Sequence, residues 1–214
     1  MFRKFLMCTA LVTAIFNANA TANSGTYIGV AAGVANQPLS FNQSAFGING
    51  NGSNTVNTQL GMAGRLFGGY NFNKYNGVEA GVSYNTGTTY NYPDGSGGMT
   101  SNAAGVDISY IPMLPISNSN WSVFGRVGVE YGWINSSGGS DCNCSTSISP
   151  LNPSGSSFTD ELGAGMRYKI SNRFTYKIEW ISNGLLFPIG INSGNTDVGS
   201  WSQQTFQTGV SYHF

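Results

Sequence analysis

Most charged side chains beyond residue 20 stand at alternate positions within segments that are otherwise apolar or small. Asp107, for example, lies between Val106 and Ile108, so in a strand its carboxylate points away from the apolar face. Five cations and five anions share this placement: Arg65, Glu79, Asp107, Arg126, Glu130, Glu161, Arg167, Lys169, Lys177 and Glu179. Ions held away from water must be paired, since isolated burial is very costly. The spacing therefore predicts an interior network of ion pairs.

A short turn at residues 171–173 predicts which of these charges meet. Pairing across that turn places Arg167 opposite Lys177 and diagonal to Glu179. We expect the whole set to form a neutral, plugged interior rather than an open pore. A purely structural network is preferred over a gated channel.

Two cysteines, Cys142 and Cys144, are separated by a single residue in a loop rich in Ser and Gly. A zinc site would need further Cys or His ligands, and this stretch does not supply them, so we expect neither a metal nor a cofactor. In an oxidising compartment a strained local disulfide is one outcome. Free or intermolecular thiols are the alternative, and titration of the intact protein distinguishes the two.

The elements that would position these residues are indicated by an unusual composition. Charged residues make up 8% of the chain, whereas soluble domains average about 25%. The chain also contains 30 glycines, 11 tyrosines and 13 phenylalanines, which argues against disorder. The sequence shows no basic cluster that would favour nucleic acid. Few charges, many aromatics and many small residues together favour a membrane β-barrel.

Eight segments alternate between apolar and small or polar residues with a period of two, as half-buried strands do. The last is the most regular, with Phe206, Val210 and Phe214 on its apolar face. The predicted strands cover residues 27–34, 60–72, 77–85, 102–112, 121–133, 161–170, 174–180 and 205–214. We therefore predict an all-β fold, an eight-stranded antiparallel up-and-down transmembrane barrel.

The connections between these strands alternate strictly in length. Four long stretches rich in Asn, Ser and Gly occupy residues 36–57, 86–101, 134–157 and 183–203. Short turns at residues 73–76, 117–120 and 171–173 separate them. Outer-membrane barrels have this asymmetry, with short periplasmic turns and long extracellular loops.

The aromatic residues of the predicted outer face fall into two bands. Near the short turns lie Phe72, Trp121, Tyr168, Phe174, Tyr212 and Phe214. Near the long loops lie Tyr84, Tyr131, Trp133, Trp180 and Phe206. Such bands match the aromatic girdles at the two interfaces between lipid and water.

Residues 1–20 have the pattern of a secretory signal peptide. Arg3 and Lys4 precede an apolar run, and Ala18-Asn19-Ala20 supplies an A-x-A cleavage site. The apolar run is shorter than the roughly 20 residues that a membrane helix needs. We expect cleavage after Ala20, which leaves residues 21–214 as one barrel domain.

Three stretches resemble small OmpA-type outer-membrane barrels and the related bacterial surface antigens: GTYIGVAAG at 25–33, LGAGMRYK at 162–169 and GVSYHF at 209–214. In that family the aromatic C-terminal strand is similar to the signal read by the outer-membrane insertion machinery. The resemblance implies this assembly role for Val210, Tyr212 and Phe214. It also implies an outer-membrane location and a lipid bilayer as partner. No peptidoglycan-binding domain is expected after the last strand.

An enzymatic role is not expected. Residues 179–184 are faintly similar to the His-x-Ser-Asn stretch of barrels that deacylate lipid A, but Trp180 stands at the position of the histidine. The single histidine, His213, is predicted at the opposite end of the barrel, so Ser182 lacks an activating base. Adhesion or host interaction through the long loops is the preferred function, with a small-solute channel as the alternative.

Overall fold

The computed structural model describes residues 24–37, 39–41, 57–58, 60–91, 97–140, 154–187, 189–193 and 196–214. The predicted signal peptide and both Cys142 and Cys144 lie outside these ranges. The described residues include no helix with the length and apolar character needed to cross a membrane.

Eight long strands form the wall of the molecule. They are β1 (Gly25–Asn36), β2 (Gly61–Asn71), β3 (Asn76–Asn91), β4 (Gly97–Pro115), β5 (Trp121–Ser140), β6 (Ser154–Lys169), β7 (Phe174–Asn183) and β8 (Gln203–His213). Each strand pairs antiparallel with the next, and β8 pairs with β1, placing Tyr212 opposite Ile28. The predicted closed, antiparallel, up-and-down barrel of eight strands is thus confirmed.

Alternate residues of each strand point to opposite sides of this wall. On β2, Met62 and Leu66 are exposed on the outside, whereas Arg65 and Phe67 are buried inside. Val30, Ile108, Val127 and Val210 are also exposed outward. The inside is therefore the charged and packed side, and the outside is apolar. A soluble protein would show the reverse arrangement.

Four strands extend furthest beyond their predicted ranges. β3 to β6 contain 16, 19, 20 and 16 residues, so they run into stretches that were predicted to be loops. Ladder pairing continues there, for example from Asn102 opposite Asn135 to Gly98 opposite Gly139. These segments are rich in Ser, Gly and Asn, so hydrophobic alternation does not identify them. Their strands are held by backbone hydrogen bonds, which any such sequence supplies.

The three short turns close through local hydrogen bonds. Asn73 accepts bonds from the backbone N–H groups of Tyr75 and Asn76 at 2.8 and 3.1 Å. In the second turn Asn118 adopts a left-handed φ of 57°, which asparagine tolerates well. Ser171 caps the third turn by accepting from the N–H groups of Arg173 and Phe174.

Short strand segments extend the sheet from the long-loop end of β6, where Asn192 pairs with Ser154. Ile189–Ser193 and Thr196–Trp201 form a hairpin, and Leu39–Phe41 pairs with its second strand. The pair Asn57–Thr58 lies against the end of β3. The long connections are therefore partly strand rather than wholly irregular.

Candidate functional site in the barrel interior

Nine of the ten charged side chains predicted to face inward are buried inside the barrel. They are Arg65, Glu79, Asp107, Arg126, Glu130, Glu161, Arg167, Lys177 and Glu179. Each stands at an inward position of β2 to β7, so the alternation of the strands places them around one lumen.

Glu79 on β3 is the centre of this network and is fully buried. Its Oε1 lies 2.6 Å from Arg65 Nη1 and 3.2 Å from Lys177 Nζ, and it also accepts from Arg126 Nη2. Its Oε2 accepts from the Tyr27 hydroxyl at 3.0 Å and lies 3.5 Å from Arg167 Nη2. All four buried cations therefore contact this one carboxylate.

A second carboxylate, Glu179 on β7, shares two of those cations. Glu179 Oε1 lies 2.6 Å from Lys177 Nζ, and Oε2 lies 3.0 Å from Arg126 Nη2. The Gln207 amide of β8 donates to Oε1 at 2.9 Å. β8 contributes no charged partner, so this amide ties it to the network.

Asp107 and Glu161 bind the guanidinium groups on the side nearer the long loops. Arg65 donates to both oxygens of Asp107, at 3.1 and 2.5 Å, in a bidentate fork. Arg126 Nη1 lies 3.0 Å from Glu161 Oε1, which also accepts from the Ser109 hydroxyl at 2.5 Å. Gly81 leaves room for this arrangement, because a Cβ there would meet Arg65 Nη2 at 2.7 Å.

Glu130 on β5 differs from the other carboxylates. Within the described part of the chain it has no ion-pair partner, and it accepts instead from the side-chain amide of Asn183. A small cavity lies beside it and is lined by Asp107, Glu161, Asn183, Gln203 and other polar residues. This cavity occupies the half of the lumen nearer the long loops.

The half of the lumen nearer the short turns is closed by apolar side chains. Tyr27, Ala31 and Phe67 form one buried cluster, and Ile111, Met113 and Phe124 form another. The cations rest on these rings, with Lys177 Nζ 3.5 Å from the Phe67 centroid and the Arg167 guanidinium 4.7 Å from that of Phe124. The buried ion pairs around Glu79, which we call the ionic layer, are therefore bounded on the short-turn side by these two clusters, which we call the aromatic floor.

Lys169 is the exception to the predicted placement. It is exposed, because it is the last residue of β6 and its long side chain reaches water at the mouth of the barrel. The predicted pairing of Arg167 opposite Lys177 is present in the register. The described interior thus holds four cations and five carboxylates, rather than the neutral balance predicted from sequence.

Several members of the network were not singled out from the sequence. Tyr27, Ser109, Asn183 and Gln207 all donate to its carboxylates. The inward position of Ser109 was readable because it lies between Ile108 and Tyr110, whereas Asn183 lies between Ser182 and Gly184, beyond the predicted end of its strand. Uncharged polar residues are common at inward positions. An inward position alone therefore did not distinguish the residues that donate to the carboxylates from those that do not.

Ser182 and His213 are far apart along the sheet. Ser182 pairs with Gln204 near the start of β8, whereas His213 is the last residue of that strand. Nine residues of strand separate them, about 30 Å. The imidazole stacks near Tyr27 instead, with ring centroids 5.1 Å apart, so the two side chains form no catalytic pair.

The three residues of the implied assembly signal lie on the outer face of β8. Tyr212 packs between Phe174 and Phe214, with ring centroids 5.4 and 5.2 Å apart. Val210 is exposed beside them. At the other end of the wall Tyr131 contacts Trp133 and Phe158 at 6.3 and 5.0 Å. The outer face carries aromatic clusters at both of its rims.

A closed barrel with an apolar, aromatic-rimmed outside and an ion-paired inside defines an integral membrane β-barrel. The chain belongs to the family described as outer membrane protein beta-barrel domain, whose model matches residues 7–214. It is accordingly a protein of the outer membrane, as the family resemblance implied. Comparison with curated proteins gives no match.

Two solved structures illustrate the shared fold. Neisserial surface protein A (NspA) is similar at 16% identity, with a TM-score of 0.53, over 92% of this chain and 100% of that one. The outer membrane protein OprG from Pseudomonas aeruginosa is similar at 14% identity, with a TM-score of 0.50, over 90% and 97% of the respective chains. At these identities the likeness concerns the fold.

Proposed function

We propose that this protein is a surface-exposed structural barrel of the outer membrane, and that recognition, by adhesion or host-factor binding, resides in its long loops. The observation that supports this is the contact between Glu79 on β3 and Lys177 on β7, at 3.2 Å. These strands lie on opposite sides of an eight-stranded ring, so the contact spans the lumen. A filled interior leaves the wall and the loops as the functional surfaces.

Two segments of the predicted long loops are the main candidates for recognition. Residues 42–56 and 141–153 lie outside the described residues and are rich in Asn, Ser and Gly, with Asp141 as their single charged residue. Binding residues are commonly carried on loops that a rigid scaffold positions. Such uncharged sequences favour a polar partner recognised through hydrogen bonds rather than a strongly charged one.

Deletion of each loop segment tests the adhesive role. We expect removal of 42–56 or 141–153 to lower host-cell binding while the barrel still inserts and stays heat-modifiable on gels. The matched control is a loop of the same length and composition in shuffled order. Binding that survives both deletions would contradict adhesion and leave a structural role.

A small-solute channel is the second candidate, supported by the polar cavity in the long-loop half of the lumen. We expect purified barrel in planar bilayers to give no steady conductance above the protein-free background, because the ionic layer and its aromatic floor lie across the path. Steady conductance would favour the channel.

Export and assembly complete the proposal. Residues 1–20 act as a cleaved signal peptide, and N-terminal sequencing of the mature protein should begin at Thr21. Val210, Tyr212 and Phe214 form the part of β8 read by the insertion machinery. Because the single histidine, His213, lies at the opposite end of the wall from Ser182, lipid A mass spectra should be unchanged when the protein is expressed. Thiol titration of the intact protein decides between a Cys142–Cys144 disulfide and free or intermolecular thiols.

A further inference from the structure

Three carboxylates converge in the half of the lumen nearer the long loops. Asp107, Glu130 and Glu161 each offer an oxygen, and these atoms lie within 4.8 Å of one another. All three side chains are buried. Arg65 and Arg126 balance Asp107 and Glu161, whereas Glu130 has no ion-pair partner in the described ranges. Buried carboxylates this close together repel unless a cation or a proton lies between them.

Two residues that line the same cavity carry buried amide oxygens with no donor among the described residues. Asn183 and Gln203 are 3% and 4% exposed, and both line the cavity that the carboxylates line. Asn183 Oδ1 and Gln203 Oε1 have no hydrogen-bond partner among the described residues. The amide of Asn183 donates to Glu130, which leaves its carbonyl oxygen available to the cavity. Buried acceptors in native proteins are normally satisfied, so these two point to an occupant.

The size of the cavity limits what that occupant is. Its free volume, about 10 Å³, admits about one sphere of the size of a water molecule. Calcium takes oxygen ligands at about 2.3–2.6 Å, so oxygens on opposite sides of one ion are up to about 5.2 Å apart. The 4.8 Å spread of the carboxylate oxygens fits this distance. Magnesium binds at about 2.1 Å and retains several waters, for which the cavity has no room.

We propose that this cavity binds one dehydrated calcium ion, with Asp107, Glu130 and Glu161 as carboxylate ligands and Asn183 and Gln203 as carbonyl ligands. All five donors are oxygens, which suits a hard cation. The positive charges of Arg65 and Arg126 disfavour a cation in this cavity, but both guanidinium groups already form ion pairs with carboxylates. The surplus of one carboxylate over the interior cations favours the ion. The aromatic floor blocks the other end, so the ion enters from the long-loop side.

Calcium binding to the folded barrel tests the proposal directly. The full chain is folded in a nonionic detergent, which offers no anionic headgroup, stripped with EDTA, and titrated with calcium by calorimetry. We expect one ion per chain and an unfolding temperature that rises with calcium concentration. Glu130→Gln should weaken calcium affinity about tenfold or more. The control is Asp160→Asn, which makes the same change at a buried carboxylate that does not line the cavity, and it should retain the affinity.

Several outcomes would overturn the proposal. One is a wild-type barrel that binds no calcium at millimolar concentration and shows no thermal shift. Another is Glu130→Gln protein that binds calcium as tightly as wild type. Should Glu130→Gln not fold, Asn183→Leu keeps every carboxylate and removes one carbonyl ligand, and unchanged affinity in that variant contradicts the site. An equal thermal shift with sodium chloride at matched concentration would reject a divalent ion.

Discussion

Glu79 concentrates the electrostatics of the interior at a single carboxylate. It contacts one cation from each of β2, β5, β6 and β7, and the Tyr27 hydroxyl from β1. When one member of a buried ionic cluster is removed, its partners remain buried without compensation. Loss of this carboxylate therefore removes a partner from all four cations and leaves Arg167 without an ion pair among the described residues, a larger effect than the loss of any single cation.

Glu79→Gln should lower the free energy of unfolding by about 3–5 kcal/mol, the usual cost of breaking a buried ionic interaction. Urea unfolding in detergent micelles, followed by tryptophan fluorescence, measures the difference. The control Lys169→Gln changes an exposed charge and should shift stability by less than about 0.5 kcal/mol. Equal stability of the two variants would show that Glu79 does not hold the network together.

Arg167 and Lys169 form a second matched pair, two residues apart on β6. Arg167→Ala should destabilise the barrel by about 1–3 kcal/mol, because it removes an ion pair with Glu79 and a cation–π contact with Phe124. Lys169→Ala should have little effect, because its side chain is exposed. The temperature at which the folded gel band converts to the unfolded band reports both variants. Unchanged conversion for Arg167→Ala would count against the paired core.

At this scale the sequence predicted which side chains face inward but not what they contact. Alternation assigns a face, and nine of the ten charges that it assigned to the inside are buried. It carries no depth, so Lys169 was placed in the core although it ends its strand at the mouth. Alternation also gives no information on the shear of the barrel. Only the tilt of the strands brings Glu79 beside Lys177, which is 98 residues away in the sequence. The role of Asn183 was hidden for the same reason.

At the scale of elements, the strand cores were predictable and their ends were not. β1, β2, β7 and β8 stop within a few residues of their predicted limits, since apolar alternation runs nearly to their ends. β3 to β6 continue through polar segments, where lipid no longer requires an apolar face. The signal for a strand is lost there although the backbone ladder continues.

The last strand supplies the third prediction. Phe214→Ala should lower the fraction of barrel inserted in the outer membrane severalfold, because the terminal ring of the Phe174–Tyr212–Phe214 cluster is lost from the assembly strand. Phe72→Ala removes the same type of ring from the same rim at a turn between β2 and β3, and it should insert normally. Immunoblots of the membrane fraction compare the two. Equal losses would indicate a general need for rim aromatics.

Asp160 anchors the segment after β7 and supplies the fourth prediction. Its Oδ1 accepts from the backbone N–H groups of Leu186 and Phe187 at 3.0 and 2.8 Å. Asp160→Ala should release this segment, so these two amides exchange hydrogen at least tenfold faster with the barrel otherwise intact. Hydrogen exchange read by mass spectrometry measures the rate, and Ser157→Ala is the nearby control. Unchanged exchange would mean that the segment is held by other contacts.

The whole molecule has two unlike ends, which the fifth prediction tests. A cysteine at Leu186, in a long connection, should react with an impermeant maleimide on intact cells. A cysteine at Ser119, in a short turn, should react only after permeabilisation. Both are made in a background with Cys142→Ser and Cys144→Ser. Labelling of Ser119→Cys on intact cells would reverse the predicted orientation.

The global architecture was the most predictable level. A wall between lipid and a polar lumen imposes a period of two on every strand. The alternation of short turns and long connections distinguishes the two ends of the barrel. Many sequences satisfy these demands, as the 16% identity to NspA illustrates. For the same reason the wall carries no information about a ligand, and the loops that would carry it are low in charge and in distinctive motifs.

The position of Glu79 also has a consequence for the order of folding. Its partners extend from Tyr27 to Lys177, so its full set of contacts exists only after the first and seventh strands have come together around it. Interactions that form after the rate-limiting step slow unfolding without speeding folding. The contacts of Glu79 should therefore form late in folding and mainly slow the unfolding of the closed barrel. Loss of these contacts would shorten the lifetime of the folded barrel, whereas the rate of folding would hardly change.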